Sequence, residues 1–71
     1  MPDMEYVAST NVEAVGYDAA ARELHVRFLS GETYVYRDVD EYIFHDLLNA
    51  PSKGSYINRT LKGGGYTYYK L

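Results

Sequence analysis

Residues 22–37 read Arg-Glu-Leu-His-Val-Arg-Phe-Leu-Ser-Gly-Glu-Thr-Tyr-Val-Tyr-Arg, and this stretch decides the fold. From Arg22 to Leu29, Leu24, Val26 and Phe28 alternate with His25 and Arg27, the period-two pattern of a half-buried strand. Leu24, Val26 and Phe28 are expected to face a core, and His25 an exposed sheet face. Ser30-Gly31 fits a two-residue hairpin turn, because glycine tolerates the positive φ that such turns require. The next strand, Glu32 to Arg37, sets Thr33, Val35 and Arg37 on one face and Tyr34 and Tyr36 on the other.

The neighbouring segments extend this hairpin. Val12 to Tyr17 reads as a further strand, joined by a short turn at residues 18–21, and Met1 to Tyr6 as a loosely held lead-in. From Val39 the period becomes helical: Val39, Ile43, Leu47 and Ala50 form one stripe, while Glu41, His45 and Asn49 form a polar one. Asp38 or Asp40 suits the N-cap, and Pro51 ends the helix because it lacks an amide hydrogen and restricts the residue before it. Ser52 is placed to cap a second, shorter helix whose Tyr56, Ile57, Thr60 and Leu61 share a face. Tyr66 to Lys70 alternates again as a closing strand. The expected order is β-β-β-α-α-β, an α+β fold with one or two short helices on an antiparallel sheet, in a single domain over residues 1–71.

Seventy-one residues allow one small core. Nine of the eleven aromatics are Tyr, an unusual way to fill such a core because each buried phenol needs a hydrogen-bond partner. The absence of Cys removes disulfides and thiolate metal sites, the staples of many small domains, and leaves self-association as a substitute. No apolar run reaches the length of a membrane span and no signal peptide is visible, so a cytoplasmic protein with no membrane partner is expected. Charge is unevenly placed: residues 1–46 hold all ten acids and carry −7, whereas residues 47–71 carry +4. An anion-facing surface on the C-terminal third follows, unless folding interleaves the two parts.

That third mixes cations, hydroxyls, glycines and tyrosines. Ser52 with the amides of Lys53, Gly54 and Ser55 makes a helix start that favours phosphate, and Lys53 adds a point charge. Arg59 can grip phosphate in a fork, Asn58 can read a base edge, and a tyrosine ring can stack on a base. Each residue type also has an ordinary use, as cap, turn, solvated helix face or sheet packing. No Walker motif, nucleophile elbow or metal-ligand spacing accompanies them, so neither an enzyme nor a metal or other cofactor is expected.

Several short motifs together carry a family resemblance. Val15-Gly16-Tyr17-Asp18, Leu24-x-Val26-x-Phe28-x-x-Gly31, Tyr34-x-Tyr36, Val39 with Tyr42 and Phe44, Ala50-x-Ser52-x-Gly54, Tyr56-x-Asn58 and Tyr66-x-Tyr68 resemble the KTSC domain family, whose domain occurs at the C-terminus of some lysyl-tRNA synthetases and as stand-alone small proteins. Asp40 stands where that family has proline, Ile57 where it has an aromatic residue, and the Gly63–Gly65 triplet is expanded. The resemblance implies RNA binding, carried onto Ser52, Lys53, Gly54, Tyr56, Asn58 and Arg59 and onto the paired tyrosines Tyr34, Tyr36, Tyr66 and Tyr68.

The expectation is therefore a non-catalytic module for a phosphate-containing ligand, a nucleotide or short single-stranded RNA, which as a homo-oligomer would sequester a nucleotide. The alternative is a protein-interaction or assembly module anchored by surface tyrosines.

Overall fold

The computed structural model describes residues 2–71, and the sequence alternations become an antiparallel sheet in the spatial order β1 (Glu5–Tyr6), β2 (Val12–Asp18), β3 (Glu23–Phe28), β4 (Thr33–Tyr36) and β5 (Tyr68–Lys70). Between β4 and β5 come α1 (Glu41–Asn49) and α2 (Lys53–Tyr56), and α2 continues as a π-helix over Ile57–Lys62. This is the expected α+β fold and element order, preceded by the short strand β1.

The register Tyr17↔Leu24, Val15↔Val26, Leu24↔Tyr36 and Val26↔Tyr34 brings one parity of each strand to a single face. Ile43, Phe44 and Leu47 of α1 and Ile57 and Leu61 of the π-helix close over Val12, Val15, Leu24, Val26 and Tyr36 to make the core. Removing a side chain such as Leu47 or Leu61 from water stabilises the fold by about 1.5–3 kcal/mol. Val39 and Ala50, the ends of the helical stripe, are buried too, although both lie outside the helix proper.

Three local expectations change. The hairpin turn has three residues, since Gly31 N–H donates to Phe28 O and Phe28 N–H to Glu32 O. Gly31, at φ +98°, occupies the left-handed position of that loop. Asp40 is the N-cap of α1 by backbone but makes no capping bond, because its carboxylate pairs with Arg22. His25 is buried rather than exposed. Its cross-strand neighbour is Gly16, where an added Cβ would stand 2.7 Å from Asp3 O and from Met4 Sδ. The N-terminal segment thus crosses the sheet face opposite the helices at the one strand position with no side chain, and Glu5–Tyr6 then pairs with β2. Helix α1 ends as the sequence demands: Ala50, before Pro51, is extended at φ −69°, ψ 135°.

Candidate functional site

Strand alternation and register gather the tyrosines. Tyr36↔Tyr68 and Tyr34↔Lys70 are cross-strand partners, so Tyr34, Tyr36, Tyr68 and Lys70 project from the helix-bearing face at its β5 end. The Tyr34 and Tyr68 rings stack with centroids 5.1 Å apart and planes within 6°. Phe28 meets Tyr34 edge-on at 5.4 Å, and Tyr36 lies 5.5 Å from Tyr68. Such pairs contribute about 0.5–1.5 kcal/mol beyond their burial.

The rings differ in access. Tyr68 is 53% exposed and Tyr34 half-buried, whereas Tyr36 is fully buried and offers no face to a ligand. Burial, reinforced by the hydroxyls of Tyr68 and Tyr34, pushes the Tyr36 phenol up to about 12. Its hydroxyl finds no hydrogen-bond partner among the described residues. Tyr36 is a core residue of this site, and Tyr34 with Tyr68 form its accessible shelf.

An open groove of about 430 Å³ adjoins the shelf, lined by Phe28 and Tyr34, by Asn11 and Glu32, and by Lys62 from the end of the π-helix. Lys70 Nζ lies 5.9 Å from the Tyr34 ring centroid while donating to Glu32 at 2.7 Å, which raises the lysine pKa. Lys62 makes no salt bridge among the described residues and lines the same groove as Glu32, whose carboxylate pairs with Lys70.

The helical residues picked from sequence have different surroundings. Ser52 caps α2, its Oγ accepting from Ser55 N–H at 3.3 Å. Lys53 Nζ donates to Leu48 O at 3.0 Å and Ala50 O at 2.6 Å, closing the C-terminus of α1. The ammonium expected to meet phosphate thus satisfies helix carbonyls, as a cation near a helix C-terminus does. Gly54 passes close to Asn11, whose Oδ1 would stand 2.9 Å from an added Cβ. Asn11 lines the groove as well, so the start of α2 lies beside its rim. Tyr56 and Tyr66 are half-buried against the core, and burial raises the Tyr56 pKa, with Asp46 adding to it. Arg59 lies 6.0 Å from the Tyr56 ring centroid, and Asn58 is exposed.

The structure therefore unites Tyr34, Tyr36 and Tyr68, keeps Ser52, Lys53 and Gly54 in structural roles, and leaves Asn58 and Arg59 on the surface of the π-helix. Phe28, Asn11 and Lys62 were missed as groove residues. Lys62 lay in the basic segment, but nothing in the sequence separates the inward duty of Phe28 from its place at the rim. The charge division is also partly cancelled, since β5 brings Lys70 to Glu32.

A small α+β domain with a five-strand meander and a helical cap is the class defined by these features. The KTSC domain model matches residues 8–69, and the chain belongs to that family. It is 44% identical over 59 residues to a protein of Tsukamurella paurometabola, spanning 83% of this chain and 88% of that one. It is 36% identical over 52 residues to a lysine–tRNA ligase of Nostoc punctiforme, a match covering 73% of this chain but only 9% of the ligase. The crystal structure of a KTSC domain protein from Yersinia pestis superposes with TM-score 0.90 at 29% identity, covering 100% of this chain and 99% of that one. The family is not an obvious catalytic one. Among the described residues there is no cluster of three metal-ligating side chains, and no helix is long and apolar enough to cross a membrane.

Proposed function

We propose that this chain is a non-catalytic binding module for a phosphate-containing ligand, a nucleotide or a short single-stranded RNA, held at the Tyr34–Tyr68 shelf and its groove in a cytoplasmic setting. The observation that carries this reading is the pair of parallel tyrosines 5.1 Å apart beside an open groove lined by Lys62, which makes no salt bridge among the described residues. A base stacks on the exposed face of Tyr68 or against Phe28 and Tyr34, and phosphate meets Lys62, with Arg59 farther along the same helix. Stacking of this kind tolerates any base and is worth about 1–3 kcal/mol per base. The match to a segment of a lysine–tRNA ligase, a protein whose name couples it to tRNA, favours RNA as the source of the base.

The net charge of −3 limits the ligand to something short, because a long duplex demands many phosphate contacts. Titration of nucleoside monophosphates and short RNA oligomers, followed by tyrosine fluorescence, tests the reading. Saturable binding that weakens in Tyr68→Ala and Lys62→Ala supports it, and absence of binding to every probe overturns it. A second reading, a protein-interaction module, is favoured by Tyr6 and Tyr42, which are 75% and 62% exposed and lie away from the shelf. Salt separates the two, since phosphate-driven binding weakens steeply with ionic strength and an aromatic-anchored interface does not.

A further inference from the structure

Strand β5 ends the sheet on one side, and among the described residues nothing pairs with its outer backbone edge. Arg37 N–H donates to Thr67 O and Leu71 N–H to Thr33 O, so the polar groups of residues 67, 69 and 71 face β4. By alternation, the N–H and C=O groups of Tyr68 and Lys70 point outward. Edges of this kind are usually protected by shortness, proline, a bulge or a free lysine. Strand β5 is short, at three residues, but it contains neither proline nor a bulge, and the lysine charge is held back by Glu32 at 2.7 Å. Tyr68 and Leu71, two of the large apolar side chains left exposed, sit on this edge at 53% and 64%.

We infer that a second copy of this chain pairs with β5, edge to edge and antiparallel, about a two-fold axis at Tyr69. The register follows from the free groups: Tyr68 of one copy faces the partner's Lys70, and the four outward groups of each strand meet those of the other. On the helix-bearing face every contact then sets a tyrosine against a lysine, with no like charges opposed. On the other face, Tyr69 meets the partner's Tyr69 at the non-hydrogen-bonded position, where Cα atoms approach to about 4.5 Å. This self-complementarity selects a second copy over an unrelated strand. The two aromatic shelves become continuous, and the partner's Tyr68 and Lys70 extend the surface beside Tyr68. The pairing rests on the edge alone and stands whether or not the shelf takes a base.

The absence of cysteine allows a direct test. Tyr69→Cys places two thiols within disulfide reach across the axis. At millimolar protein it is expected to form a disulfide dimer on the order of tenfold faster than Tyr42→Cys, an exposed site off the interface. Adding Lys70→Pro removes an outward N–H that β4 does not use and returns the rate to that of the control. In the unaltered chain, raising the concentration from micromolar to millimolar shifts the Tyr68 and Lys70 amide resonances more than those of β1. Equal oxidation rates for folded Tyr69→Cys and Tyr42→Cys overturn the pairing, as do concentration-independent Tyr68 and Lys70 amides. Binding of an extended peptide to the edge of a chain that stays monomeric at millimolar concentration overturns it equally.

Discussion

Replacing Lys53 with methionine separates the structural role of this lysine from a ligand role. Methionine keeps the unbranched stem and removes only the ammonium that donates to Leu48 O and Ala50 O. Hydrogen bonds to charged groups contribute about 1.5–3 kcal/mol each, but Lys53 is only half-buried and water can reach freed helix-end carbonyls. The loss is therefore placed at about 2 kcal/mol for the two bonds together. For a domain of this size that lowers Tm by roughly 10 °C. Thermal unfolding followed by circular dichroism reads the shift, and titration of the same RNA oligomers well below the lowered Tm reads the affinity. The expected result is a less stable protein whose affinity is unchanged. An unchanged Tm with affinity reduced about tenfold, equivalent to 1.4 kcal/mol, would refute the assignment and return Lys53 to the phosphate.

Other predictions concern the shelf, the titrating core groups and the N-terminal segment. Tyr68→Ala should weaken oligomer binding by about 1–3 kcal/mol and, by removing the ring that packs on Tyr34 and Tyr36, also lower Tm by roughly 5–10 °C; isothermal titration well below the lowered Tm, beside a melting curve, checks both. Burial holds the His25 imidazole below its ordinary value of 6.5, against the opposing pull of Glu23 at 4.0 Å. The unfolded chain then binds the proton more readily, so this contribution to stability is complete above pH 6.5 and is lost as pH falls through the lower folded value. Tyr36 acts at the other end: its folded pKa of about 12 exceeds the ordinary 10.0, so its stabilisation is complete below pH 10.0 and lost as pH rises through about 12. That two-unit rise corresponds to about 3 kcal/mol. Urea midpoints across the pH range should fall at both ends, and Tyr36→Phe should shrink the alkaline fall while leaving the acid one, the rest of the alkaline fall coming from Tyr17, Tyr56 and Lys70, whose folded values are also raised. Gly16→Ala drives a methyl group into Asp3 O and Met4 Sδ, with overpacking of about 1–3 kcal/mol. Hydrogen exchange at Val7, whose amide donates to Glu13 O at 3.1 Å, should accelerate there before it does in β3.

Local periodicity carried most of the architecture. The alternation from Leu24 to Phe28 and the 43-47 part of the helical stripe each describe contacts along one element, and those contacts are set by backbone geometry alone. For the same reason Tyr34 and Tyr36 were assigned to one face before any pairing was known. Ser52 was legible as a cap because a cap bonds within its own turn, as it does to Ser55. What periodicity could not supply is which face of an element has something lying on it. His25 reads as exposed because its strand alternates, yet the segment at Asp3 and Met4 covers that face at Gly16.

The sequence alone determined the α+β order of elements after β1, the shared parity of Tyr34 and Tyr36, the helix stop at Pro51 and the basic character of residues 47–71, because each depends on near neighbours in the chain. Only the tertiary structure decided that Tyr36 is core while Tyr68 is surface, that Lys53 closes α1, and that Asn11, Phe28 and Lys62 frame one groove. Those outcomes depend on contacts between segments far apart in sequence. Register and helix docking set such distances, and no local pattern encodes them.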